Sequence, residues 1–310
     1  MDTLAFFCYD LEEHRPKAST FLFNRAEHLF LQSKKGWRVY GLQNGKSGKV
    51  VAQICFNIKG KELVSPLQAP FGSLEVYEHI GQEKIEELFI KIEEEVKVLG
   101  ITHWRIKSYP KDYDSFITSM LQKALSKLNF NLIEEISSII PVDQKLFEKR
   151  IRVSQRQKLR KSEKRFAFSQ VKLTELSKIY SFIRSCRKKK SQTLSMPLFQ
   201  LQKVADLFPR KFILFQVADG NQVAAAAIVI KVSEKILYTF YYSHDKRFDK
   251  ISPVVLLISG IYQYAQQRNF THIDLGTSMV NGGVNRPLLQ FKKSIGGHPS
   301  SKYIFEKTLS

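Results

Sequence analysis

The sequence predicts an α/β protein with mixed sheets, built as two tandem copies of one unit. Three observations carry that prediction. Each half contains three consecutive strand candidates joined by turn residues. A run with the 3.6-residue period of a helix follows each trio. The strand after that helix opens Thr102-His103-Trp104-Arg105-Ile106 in the first half and Thr271-His272-Ile273-Asp274-Leu275 in the second, each behind a short turn. A local match recurring at the same place in a repeated order points to duplication. With 310 residues, 43% hydrophobic and 25% charged, the chain can bury two cores.

In the first half, Leu4–Tyr9 reads as a short apolar strand, and Phe21, Leu22, Arg25, Leu29 and Phe30 share one helical face within Ser19–Gln32. The trio is Trp37–Gln43, Val50–Ile58 and Leu63–Pro66, with hairpin chemistry at Asn44-Gly45 and Lys59-Gly60-Lys61. Ile85, Leu88, Phe89, Ile92, Val96 and Leu99 make an amphipathic helix over Glu83–Leu99 that stops at Gly100. Thr102–Lys107 is a strand, Tyr113–Leu128 a helix and Phe130–Ile140 a strand. The second half repeats the trio as Phe212–Ala218, Val223–Val232 and Lys235–Tyr242, turning at Asp219-Gly220-Asn221 and Ser233-Glu234. A helix over Pro253–Arg268 and the strand from Thr271 follow. We place the first domain at 1–145 and the second at 146–310.

Charge separates the halves. Residues 1–145 hold 19 Lys and Arg against 19 Asp and Glu, so of the 49 and 29 in the whole chain, 30 and 10 fall in residues 146–310. The second domain therefore carries the whole excess of +20. Such a field draws polyanions: nucleic acid, a nucleotide donor, a diphosphate-linked precursor or an anionic membrane face. Its densest stretch is Lys149–Arg165, a helix candidate with nine basic residues in seventeen. Arg152, Arg156, Arg160 and Lys164 recur every fourth residue there, with Lys161 beside them and Arg184 and Arg187–Lys190 downstream. Phosphate contacts of this kind need no sequence readout, and no DNA partner is expected. No run suits a membrane-spanning helix and the N-terminus lacks a signal-peptide pattern, so a cytoplasmic location is expected, with contact at the inner membrane face left open. Cys8, Cys55 and Cys186 fit no zinc or redox spacing and read as reduced thiols. No metal constellation appears.

The order strand, helix, three-strand meander, helix, strand is that of the GNAT acyltransferase fold. Ser65-Pro66 followed by Ala69-Pro70-Phe71-Gly72, Leu159-Arg160-Lys161-Ser162-Glu163-Lys164, and Asp274-Leu275-Gly276 followed by Phe291-Lys292 and Gly296-Gly297 resemble, in order and spacing, the motifs of the Fem-type transferases. Those enzymes build peptide bridges onto peptidoglycan precursors from aminoacyl-tRNA. The resemblance spans nearly the whole chain and implies an N-acyltransferase passing an aminoacyl or acyl group to an amine of a cell-envelope precursor. Two departures stand out. The long coiled-coil arm common in that family has no heptads here. Where acetyl-CoA enzymes carry a glycine loop to cradle a pyrophosphate, His244–Pro253 has no glycine. The donor thus remains aminoacyl-tRNA or acyl-CoA with no covalently bound cofactor, and a degenerate pair that only binds tRNA or another polyanion is the reading outside enzymes.

Transfer to an amine needs a polarised carbonyl and a proton route, and no covalent nucleophile motif is present. By the resemblance, Lys292 lies beside the transfer channel and steadies the oxyanion or a phosphate. Tyr241 and Tyr242, ending the last meander strand, can donate protons or simply fill the core, and Asp274 can orient an amine or cap a turn. The catalytic candidates are Lys292, Tyr241 and Asp274. The substrate-binding candidates are Pro66, Phe71, Gly72, Arg105, Tyr242, Ser252, Gly276, Asn285 and Phe291. The polyanion candidates are Arg152, Arg156, Arg160, Lys161, Lys164 and Arg187. Asn281-Gly282-Gly283-Val284-Asn285 reads as a flexible loop that covers a substrate or merely connects, and His103 and His272 read as structural.

Overall fold

Alternating apolar runs form strands and 3.6-period runs form helices over residues 4–14 and 19–309, the residues that the computed structural model describes. The chain opens with β1 (Leu4–Asp10), α1 (Ala26–Gln32), β2 (Trp37–Asn44), β3 (Val50–Lys59), β4 (Glu62–Ser65), β5 (Glu75–Val76), α2 (Gln82–Val98), β6 (His103–Lys107), α3 (Ser115–Lys127) and β7 (Asn131–Pro141). It continues with α4 (Phe147–Arg150), α5 (Val153–Glu163), β8 (Ala167–Val171), α6 (Leu176–Lys188), α7 (Leu198–Leu207), β9 (Phe212–Asp219), β10 (Gln222–Lys231) and β11 (Ile236–His244). Then come α8 (Pro253–Gln267), β12 (His272–Thr277), β13 (Met279–Val280), β14 (Gly283–Val284), α9 (Arg286–Ser294) and β15 (His298–Thr308).

Two compact units result: Met1–Glu135 with Ser300–Ser310, and Ile136–Pro299. The division departs from one at residue 145 because of strand pairing. The C-terminal half of β7 pairs with β12, Ile140 opposite Ile273, whereas β15 pairs with β6, Phe305 opposite Ile106. Within the first unit the strand order is β1-β2-β3-β4-β6-β15, with β5 on β3, and within the second it is β8-β9-β10-β11-β12-β7. Both have the same plan: an antiparallel meander, one parallel neighbour (β4 with β6, β11 with β12) and a closing antiparallel strand. The tandem repeat read from the sequence is thus a repeat of topology.

Each unit packs helices on its sheet. In the first, Ile85, Leu88, Phe89, Ile92 and Val96 of α2 pack in the core with Phe56, Trp104 and Ile106, while Leu99, assigned to the same face, is the exposed C-cap. In the second, α8 lies among the apolar side chains of β9, β10 and β12. The expected helix over Ser19–Gln32 shortens to α1, because the N–H groups of Thr20 and Phe21 donate to the buried Glu75 carboxylate at 3.0 and 3.1 Å instead of capping a helix. Asn44-Gly45 is not a two-residue hairpin. Asn44 Oδ1 accepts from Lys46 and Ser47 N–H in a wider loop to β3. The single basic helix over Lys149–Arg165 divides into α4 and α5, since Arg152 is extended and its N–H donates to Ser294 O at 3.0 Å. The Asn281–Asn285 stretch is ordered by its own backbone. Asn281 and Gly282 have φ of 50° and 77°, the two positive values that suit a tight hairpin turn, and β13 pairs with β14 around them. The cysteines are free, and among the described residues no helix is long and apolar enough to cross a membrane.

Candidate functional site

The second unit opens where two neighbouring strands part. β11 and β12 pair in parallel only through Ile236–His272, Leu237–Ile273 and Tyr238–Asp274. Beyond that point β11 stays with β10 as far as His244, and β12 follows β7. A register shift between Ile228 and Ile230 of β10, opposite Tyr241 and Tyr238, adds a bulge to β11 and re-aims its side chains at the gap. The gap is a cavity of about 650 Å³. Tyr238, Tyr241 and Tyr242 line it from β11, Gly276 and Thr277 from β12, Leu288, Phe291 and Lys292 from α9, Arg187 from the last turn of α6, and Lys190–Thr193 from the segment after it. Three cations, Arg187, Lys190 and Lys292, face it, and no carboxylate is among its lining residues.

Lys292 is at the centre of the polar chemistry. Asn285 caps α9 by accepting the Leu288 N–H at 3.1 Å, and this sets the helix direction that carries Lys292 inward. Its side chain is only 2% exposed. The ammonium donates to the carbonyls of Gly276 at 2.8 Å and Thr277 at 2.7 Å. Gly276 has φ of +77°, a conformation that resists any β-carbon, and this turn brings two successive carbonyls to one nitrogen. Burial lowers the Lys292 pKa to about 8. Arg187 acts in the same direction and Asp274 opposes. Asp274 is itself 3% exposed, its Oδ1 accepting the Gly276 N–H at 2.6 Å, so it shapes the turn and lies behind the lining.

Tyr241 does not present a free hydroxyl. Its oxygen accepts the Met196 N–H at 2.8 Å and lies 2.8 Å from Ser195 Oγ, while the Arg187 guanidinium sits over its ring at 5.5 Å. Burial raises the phenols of Tyr241 and Tyr242, the latter to about 12. His244 at the rim is held below its usual value by burial and by Lys190, against an Asp249 partner at 2.7 Å. The structure thus brings together Lys292, Tyr241, Tyr242, Gly276, Asn285, Phe291 and Arg187. Ser252 is buried just outside the lining with φ of +59°, ending the loop before α8.

The remaining candidates lie elsewhere in the fold. Pro66, Phe71, Gly72 and Arg105 belong to the first unit. Phe71 packs edge-on against Phe21, Phe23 and Tyr109. A β-carbon on Gly72 would stand 2.3 Å from Ser65 Oγ, so the Ser-Pro and Gly motifs meet in one tight corner. Arg105 is exposed and ion-paired to Glu306 at 3.2 Å. Arg152, Arg160, Lys161 and Lys164 are exposed on and beside α5, Arg156 is half-buried, and Arg160 lies 3.9 Å from Glu148. Arg187, by contrast, turns into the cavity. The sequence reading had Lys190 only as part of a basic cluster and missed Tyr238 and the 191–195 wall; α6 itself was readable from Leu176, Ile179, Tyr180 and Ile183, one face at helical spacing.

Comparison with known proteins bears on the fold. Residues 149–287 match the acetyltransferase (GNAT) domain family. No curated protein matches the sequence. Among solved structures the chain is similar to FemX, at 14% identity and a TM-score of 0.69 over 98% of this chain and 97% of that one. It is also similar to L-PGS from Bacillus licheniformis, at 13% identity and a TM-score of 0.56 over 95% and 88% of the two chains. The C-terminal domain of a putative lysylphosphatidylglycerol synthetase from Agrobacterium fabrum is 11% identical, with a TM-score of 0.53 over 84% and 82%.

Proposed function

Because the chain carries an acetyltransferase (GNAT) domain at 149–287 within a fold shared with FemX, we propose that it is an N-acyltransferase of Fem type, taking an aminoacyl group from a tRNA donor and passing it to an amine of a cell-envelope precursor. The observation that carries the reading is the buried Lys292 ammonium at the parted strands, fixed by two carbonyls in a cavity lined by three cations and no carboxylate. When the acceptor's neutral amine attacks the acyl carbon, negative charge grows on the carbonyl oxygen. A fixed cation in a low-dielectric site stabilises that charge without reorganising. Collapse expels the donor's hydroxyl oxygen, and the amine's proton leaves with it or through water.

The loop before α8 favours a tRNA donor over acyl-CoA. A pyrophosphate cradle needs free backbone N–H groups at that helix start. Here Phe248 N–H donates to Asp245 O, Asp249 N–H to Lys246 O, and both Ile251 and Ser252 N–H to Phe248 O. Arg247 N–H is taken by the Asp245 carboxylate at 3.0 Å. Five N–H groups of the loop are thereby used within it. The exposed cations of α5 supply a surface for a tRNA backbone instead.

Fluorescence anisotropy of a labelled aminoacyl-tRNA across a salt series, with CoA and acetyl-CoA as competitors, tests the reading. We expect salt-sensitive binding that CoA leaves in place, followed by transfer to an amine acceptor. Displacement by CoA would move the donor to acyl-CoA, and binding without turnover by any donor would make the chain a polyanion-binding GNAT pair.

A further inference from the structure

The wall of the cavity contributed by residues 190–195 is a strap between α6 and α7, and it is held at both ends. At its start, Lys190 and Gln192 N–H donate to Arg187 O, and Ser191 N–H donates to Lys188 O. At its end, the Met196 peptide is gripped from two sides: Tyr180 Oη donates to Met196 O at 3.1 Å, and Tyr241 Oη accepts Met196 N–H at 2.8 Å. Ser195 Oγ closes the second contact to Tyr241 at 2.8 Å. The strap presents Lys190, Ser191, Gln192, Thr193 and Ser195 to the cavity, while Tyr241 rises from β11 on its other side.

From this arrangement we infer that Tyr241 is a positioning residue that pins the 190–196 strap across the cavity, setting Lys190 beside Arg187 as a binding rim for the anionic part of the substrate. The inference rests on the acyltransferase reading for what is bound, and on the strap geometry alone for what Tyr241 does. With Ser195 as the acceptor, the phenol's one proton is committed to the strap and reaches a leaving group only if the strap lets go. Arg187 stacks on the same ring, so the residue that pins the end of the strap also touches one cation of the rim. Neither the Arg187 nor the Lys190 side chain has a hydrogen-bonded or acidic partner among the described residues. That leaves their donors to a phosphate or carboxylate.

Tyr241→Phe keeps the ring and removes only the oxygen; Ser195→Ala removes one of its two contacts. Hydrogen exchange on the intact chain reads the strap without reference to activity. We expect the Met196 amide to exchange at least tenfold faster in Tyr241→Phe, with β10 and α8 amides unchanged. In turnover assays KM should rise several-fold in both variants while kcat stays within twofold and its alkaline limb does not move. The double variant should be no worse than Tyr241→Phe alone, because losing the phenol oxygen already breaks the contact that Ser195→Ala removes. Unchanged Met196 exchange would overturn the strap. A large fall in kcat with an altered alkaline limb would make Tyr241 a proton donor and overturn the positioning role. A protein that binds labelled tRNA but turns nothing over, with Met196 exchange accelerated as expected, would remove the acyltransferase reading and leave the strap standing.

Discussion

Lys292 Nζ and the carbonyl oxygen of Gly276 lie 2.8 Å apart, joining the last turn of α9 to the point where β12 turns away from β11. The contact depends on a backbone angle at one end and a buried charge at the other, so each end makes a prediction of its own.

Lys292→Met keeps the aliphatic stem and removes the ammonium. Turnover should fall by about 10²-fold or more, the scale of a lost oxyanion partner, with the protein still folded by near-UV dichroism. A variant that retains more than half of wild-type turnover would place the oxyanion partner elsewhere.

The lowered pKa gives two signals of opposite sign. The Lys292 amine titrates near 8 in the folded chain and at the ordinary 10.5 when unfolded. Between those values the unfolded chain binds the extra proton, so this group's contribution to stability rises with pH across the window and is lost as pH falls through 8. Activity runs the other way if the charged form acts: kcat/KM should decline above about pH 8. Denaturant melts and rate profiles on wild type and Lys292→Met check both, since the stability rise should vanish in the variant.

Much of the fold was legible because period and turn chemistry are local. The face of α2 and the turns at Gly60 and Gly220 follow from a few neighbouring residues. Which sheet takes a strand is not local. β7 read as a strand, β15 went unassigned, and nothing in the alternation of either says that β7 ends the strand order of the second unit and β15 that of the first. The site divided along the same line. Lys292, Gly276 and Phe291 came from short motifs, whereas Tyr238 and the 190–195 wall reach the cavity through a bulge and a strap that only tertiary packing creates.

Gly276→Ala tests the other end of the opening contact. An added β-carbon would meet Tyr238 only at 3.6 Å, an ordinary distance, so the cost comes from forcing φ of +77° on alanine. That is about 1–2 kcal/mol, or a fall of several degrees in melting temperature. Relaxation toward negative φ would turn the carbonyl away from Lys292, and turnover should drop further than the melt alone explains. A stability loss with kcat/KM unchanged would separate the turn from the chemistry.

The basic helix makes a prediction about salt rather than rate. Arg152, Lys161 and Lys164 are exposed and have no acidic partner among the described residues, whereas Arg160 is near Glu148 and Arg156 is half-buried. Replacing the first three with glutamine should lower the slope of log Kd against log salt by about 2, since each phosphate contact contributes about 0.7–0.9. The thermal melt should be unaffected. Lys161 lies on α5 and Arg152 and Lys164 flank it, all exposed and apart from the Leu159 face that packs into the core, so the variant isolates charge from folding. An unchanged slope would move the tRNA backbone off this helix and onto another cationic surface, with the Arg187 and Lys190 rim the next to test.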